Sequence, residues 1–81
     1  MERWLSLTVS KLVSSKTVHI SIPKRVVKRA VVRNRIRRVL REALRLDPFF
    51  QEDKVYLLKV SSLPKAVDLA MAKKALGAFH D

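Results

Sequence analysis

The stretch from Ala30 to Arg45, AVVRNRIRRVLREALR, constrains most tightly what this chain can fold into. At 100° per residue it divides into two faces. Val32, Ile36, Val39, Leu40 and Ala43 fall within about 100° of arc, a stripe wide enough to dock on a core. Asn34, Arg37, Arg38, Arg41 and Arg45 take the opposite side, with Arg33 and Arg35 on its flanks. Such a helix needs an apolar layer beneath it and an anionic partner above it. From Lys24 to Arg45 ten basic residues meet one acidic residue, Glu42, which is +9 of the formal net charge of +11. The charge is therefore concentrated, with the remainder of the chain close to neutral. A solvated face normally mixes signs, whereas residues 33–45 hold six arginines and no lysine. Arginine forks suit bidentate phosphate contacts, and each neutralised phosphate releases condensed counterions. Nucleic acid is the partner this pattern selects.

The flanking segments supply the layer. Leu5, Leu7 and Val9 alternate with Ser6, Thr8 and Ser10, the period of a strand with one wet face. Val18, Ile20 and Ile22 alternate with His19 and Ser21 in a second strand that Pro23 ends. Two successive alternating strands predict an antiparallel hairpin, turning at Ser14-Ser15-Lys16. Lys24 to Arg29 then forms a basic connector. The long helix is expected to stop near Leu46-Asp47, because Pro48 disfavours helical geometry in the residue before it. Phe49 and Phe50 are expected to fold back over the core edge. Val55 to Val60 is too short and too β-rich for a helix and predicts a buried strand. Ser61 and Ser62 are N-cap candidates for a final helix with Pro64 in its first turn and Leu69, Ala72, Leu76 and Phe79 at helical spacing.

The resulting order, β-β-α-β-α, predicts an α+β fold, helices layered on a small sheet, in a single nucleic-acid-binding domain over residues 1–81. Eighty-one residues allow one modest core, and 48% apolar content argues against disorder despite the charge. The absence of cysteine excludes disulfides and thiolate metal sites. No run reaches the length of a membrane span and the first residues lack a signal-peptide pattern, so a cytoplasmic protein without a membrane partner is expected.

Catalytic chemistry is not visible in the residues. His19 and Ser21 share a strand face, but no acid is placed to orient a triad, and an exposed or structural histidine is the simpler reading. Asp47, Glu52 and Asp53 sit at a helix end and in a turn, where carboxylates serve solvation more often than metal binding. Trp4, Phe49, Phe50 and Tyr56 could stack on bases, yet aromatics in so small a domain are more often core. Lys24, Arg25, Lys28 and Arg29 read as a supporting phosphate clamp, against a bystander alternative. Asn34 reads equally well as a nucleic-acid contact and as a mere surface residue or local backbone partner.

Residues 23–38, PKRVVKRAVVRNRIRR, followed by Arg41-Glu42, resemble the signature of the bacterial ribonuclease P protein subunit. That signature is a basic pair ending a strand, then a helix with Ala, Arg-Asn-Arg, a basic pair and Arg-Glu. The resemblance extends over roughly Leu5 to Phe79, with residues 23–45 the specific part. It implies a single RNA-binding domain built as a two-layer α/β sandwich, with a left-handed β-α-β crossover against the usual right-handed rule. It also implies a role in endonucleolytic 5′ maturation of precursor tRNA as a holoenzyme subunit. On this resemblance the chemistry is carried by RNA-held Mg²⁺, with no cofactor and no catalytic residue on the protein. Arg33, Arg35 and Arg38 would face the catalytic RNA, and Asn34, Arg37 and Arg41 the 5′ leader. The wheel places these last three within about 60° of one another. Against the family pattern, the chain is expected to lack the usual N-terminal helix and first strand, whose aromatics line the leader cleft. Lys28 stands where many members have Gly, and Pro23 where many have Ser or Ala. Two rival readings rest on the residues alone. One is a standalone ribosomal-type or DNA-binding basic module with no part in cleavage. The other is a membrane-surface helix, disfavoured because its apolar face is needed for the core.

Overall fold

The computed structural model describes residues 4–80. Strand β1 runs Leu5–Leu12, β2 Thr17–Ser21, helix α1 Ala30–Leu46, β3 Lys54–Val60 and helix α2 Leu69–Gly77, with a single 3-10 turn at Pro48–Phe50. The β-β-α-β-α order is the expected one. The strand neighbours differ from expectation. The sheet order is β1-β3-β2, with β3 antiparallel to β1 and parallel to β2. The first two strands run in opposite directions but do not pair, so there is no β1–β2 hairpin.

Two physical reasons account for the inserted strand. β3 carries the most apolar run, with Tyr56, Leu58 and Val60 each at most 2% exposed, and burial is greatest for the strand with neighbours on both sides. The connection between β1 and β2 contains no tight-turn residue and instead spans the roughly 10 Å across one intervening strand. Asp53, just ahead of β3, holds it there: its carbonyl accepts from Val13 N at 2.8 Å and its Oδ1 from Lys16 N at 3.1 Å. The β1 register shifts between Val9 and Leu12. Within that irregularity Ser10 Oγ accepts from Val55 N at 3.1 Å, giving a β3 amide a side-chain partner.

Leu5, Leu7 and Val9 stand opposite Val60, Leu58 and Tyr56 on one sheet face. The core joins that face to Ile36, Leu40, Ala43 and Leu44 of α1 and Ala72 and Leu76 of α2. Val32 and Val39 are partly buried against it. The opposite face, Ser6, Thr8, His19, Ser21, Leu57 and Lys59, is exposed. Leu44 extends the predicted stripe by one position, because α2 packs along that flank of α1.

The end of α1 is built as Pro48 demands. Asp47 Oδ1 accepts from Phe49 N at 2.9 Å and its other oxygen lies 2.8 Å from His80 Nε2. Gln51 Nε2 donates to the carbonyls of Arg45 and Asp47, two of the acceptors that a helix end leaves open. Phe50 is buried edge-on to Tyr56, as expected, but Phe49 is 47% exposed and stacks on His80 with centroids 4.6 Å apart. The Tyr56 hydroxyl donates to the Glu52 carbonyl, and burial pushes its pKa above the ordinary phenol value.

Ser61 and Ser62 do not cap the last helix. Ser61 N continues the pairing with the chain ahead of β1 by donating to Trp4 O, and Pro64 is buried in the loop that follows. Helix α2 starts five residues after Pro64, capped by Asp68, whose Oδ1 accepts from Met71 N at 2.8 Å. It ends at Gly77, so Phe79 packs on the core from just beyond it. Loss of this cap in Asp68→Ala should lower the free energy of unfolding by about 1 kcal/mol, read by urea denaturation. A change below a few tenths would mean that packing alone holds α2.

Candidate nucleic-acid interface

Helix α1 places its cations against two local preferences. Its first turn has no acidic residue and its N-cap, Arg29, makes no side-chain capping bond. Lys28 and Arg29 thus sit at the positive end of the helix dipole, where anions are favoured. Along the helix, Arg33–Arg37, Arg37–Arg41 and Arg41–Arg45 are like-charged pairs four residues apart, each unfavourable by about 0.2–0.5 kcal/mol. One ion pair offsets them: the Arg45 guanidinium on Glu42, with Nε to Oε2 at 3.2 Å. This contact holds the Glu42 carboxyl below its ordinary pKa and raises that of Arg45. A helix arranged for its own stability would not carry this pattern.

The six arginines are not equivalent. Arg35, Arg38 and Arg41 are exposed and form no ion pair or hydrogen bond among the described residues. Spaced by three, they climb the helix in steps of about 4.5 Å, a ridge of open guanidinium forks. Arg37 is half-buried, with its Nη1 3.4 Å from Asn34 Oδ1, a long contact that leaves the Asn34 amide nitrogen open. Arg45 is engaged by Glu42. Arg33 is half-buried, and its guanidinium turns back to the connector, donating to the carbonyls of Val27 at 3.0 Å and Lys28 at 2.9 Å. In that connector Lys24, Arg25, Lys28 and Arg29 are all exposed, while Val27 is 3% exposed and anchors the turn.

A groove of about 510 Å³ runs beside the β2 edge, between Arg41 and the exposed sheet face. Thr8, His19, Ser21, Leu57 and Lys59 line it with Arg41. Of the three residues assigned to the leader side, the structure brings Arg41 to this groove; Asn34 and Arg37 lie outside its lining. Lys59 lines the groove but is not among the residues expected at the site. The signal was present, since alternation with Leu58 and Val60 puts Lys59 on the wet face.

The other polar residues have local partners. Asp47 contacts His80, Glu52 pairs with Lys54 at 3.0 Å, and Asp53 holds the β1–β2 connection. Among the described residues no three His, Asp or Glu side chains gather as a metal site, and no helix is long and apolar enough to cross a membrane.

A small α+β layer with one cationic helix turned outward defines a compact basic domain, its folding core on one side and its charge on the other. The family model described as Ribonuclease P matches residues 2–78, and the chain belongs to that family, the protein component of bacterial ribonuclease P, which takes part in tRNA 5′ processing. No curated protein and no solved structure matches the chain significantly.

Proposed function

We propose that this protein binds the catalytic RNA of ribonuclease P through the helix ridge and the basic connector, and assists recognition of the precursor-tRNA 5′ leader in the cytoplasm. The observation that carries the reading is the open Arg35–Arg38–Arg41 ridge, retained on a helix whose own electrostatics oppose it. Polyphosphate is the partner that turns this repulsion into attraction. Lys24, Arg25, Lys28 and Arg29 extend the surface toward the same RNA. Arg41, Lys59 and His19 offer donors beside the apolar Leu57 in the sheet-side groove, a combination suited to a single strand with phosphates and base faces. Asn34 and Arg37 neighbour Arg41 on the helix and complete the leader side.

In this reading the hydrolytic chemistry is supplied by Mg²⁺ held by RNA, and no side chain of this protein is catalytic. The protein neutralises phosphates and places the substrate. The test is reconstitution of the full chain with the catalytic RNA and precursor tRNA at low Mg²⁺. Mature 5′ ends should accumulate faster with the protein than without it. No increase, together with equally tight binding of duplex DNA, would leave a standalone basic module.

A further inference from the structure

Arg33 begins the Arg-Asn-Arg run, and the family resemblance suggests one more phosphate contact. Its surroundings point elsewhere. The residue stands on the flank nearest the core stripe, about 100° from Val32 and close to the azimuths of Leu40 and Leu44. It is half-buried, whereas Arg35, Arg38 and Arg41 are exposed. Its Nη1 bridges two successive carbonyls, Val27 O and Lys28 O, and its backbone N–H donates to Arg29 O at 3.0 Å. Three consecutive connector residues are thus tied to one helix residue.

The connector needs such a tie. It holds four cations in six residues, and its own backbone bonds are two: Val26 N and Val27 N both donate to Pro23 O. Beyond Val27, buried at 3% exposure, the chain must pass Lys28 and Arg29 into a helix start that lacks a side-chain cap. Mutual repulsion would splay these side chains, and ordering them would then cost affinity at the moment of binding.

We infer that Arg33 is a positioning residue. It braces the Lys24–Arg29 connector so that its four cations and the helix ridge form one preset surface, and it does not itself meet a phosphate. This rests on the RNA-binding reading above. The brace needs a donor nitrogen at the end of a long side chain, whereas a phosphate contact needs the charge; citrulline keeps the first and removes the second.

The experiment uses the full chain made by chemical synthesis, with citrulline at position 33 or at position 38, and measures catalytic-RNA affinity against salt concentration. Citrulline at 38 should reduce the log–log salt slope by about 0.7–0.9, the contribution of one phosphate. Citrulline at 33 should leave the slope within about 0.3 of the unmodified chain and the affinity within about twofold. A second arm uses Arg33→Met, which removes the donors. It should weaken binding by roughly fivefold or more in the intact chain (about 1 kcal/mol). In a chain with Lys24, Arg25, Lys28 and Arg29 all replaced by Ala, it should cost less than about twofold. A full unit of slope lost with citrulline at 33, or an equal penalty for Arg33→Met in both backgrounds, overturns the brace. If Arg33→Met fails to fold, the citrulline comparison decides alone. An unmodified chain that does not bind the catalytic RNA overturns the reading beneath it.

Discussion

Replacing Arg35, Arg38 and Arg41 together by Ala is expected to weaken binding of the catalytic RNA carrying its precursor tRNA roughly a hundredfold or more while leaving the melting temperature unchanged or slightly raised. The two halves of this result have separate causes. Each exposed fork that meets a phosphate supplies a charge-assisted contact, and loss of three removes more than about 3 kcal/mol. The salt slope should flatten by about two to three units. In the free protein the same side chains touch no acceptor among the described residues and stand beside other arginines on the helix. Ala is also the best helix former, so their removal relieves strain rather than removing support. Thermal unfolding and RNA titration on the same sample separate the effects. A melting temperature lowered by several degrees would show that these arginines hold the fold. An unaltered slope would show that they do not contact the backbone of the RNA.

Leu40→Ala should do the reverse, damaging the fold first and binding only as a result. Leu40 is 0% exposed and sits where α1 meets both the sheet and α2. Truncating a leucine so enclosed removes transfer free energy and leaves a cavity, together about 2–5 kcal/mol. A domain of this size commands about 5–15 kcal/mol in total. At about 4–8 °C per kcal/mol, the melting temperature should fall by on the order of 10–30 °C. Calorimetry would measure it. RNA affinity of the fraction that remains folded should be unchanged, because no guanidinium is touched. A drop of less than about 5 °C would mean that the helix does not depend on this seat.

The parts of the molecule that a local pattern specifies were legible. The bounds of α1 followed from its 3.6-residue stripe and from Pro48, and Lys54–Val60 from its short β-branched and aromatic run. The neighbour of each strand was not legible, because alternation reports which face is wet and not which strand lies alongside. The pairing depended on a polar residue far along the chain, Asp53, which accepts from the β1–β2 connection. The start of α2 was misplaced because serines before a proline look like caps, whereas Asp68 has the geometry to be one. Within the candidate site, charge density marked out α1 and its connector as one basic segment. It did not distinguish a fork turned inward, Arg33, from forks turned out, since both carry the same charge. Lys59 gives no such signal for the converse reason: it stands apart from the basic segment, in an apolar strand, and meets Arg41 only across the groove beside the sheet edge.

The central position of β3 also bears on how the chain folds. Neither outer strand has a partner until residues 54–60 exist, and Leu5 pairs with Val60 across about two thirds of the chain. A parallel β2–β3 ladder with a long helix between adds further sequence separation, and such topologies fold more slowly than local ones. The self-repelling helix is made before the strand that gives it a seat, and an isolated helix of its length is marginal in water. During synthesis, therefore, a cationic and incompletely structured segment precedes the sheet. Polyanions present at that stage meet it before the core has closed. The domain's assembly is thus late and nearly all-or-none, with the last strand acting as the keystone that turns two edges and a charged helix into one body.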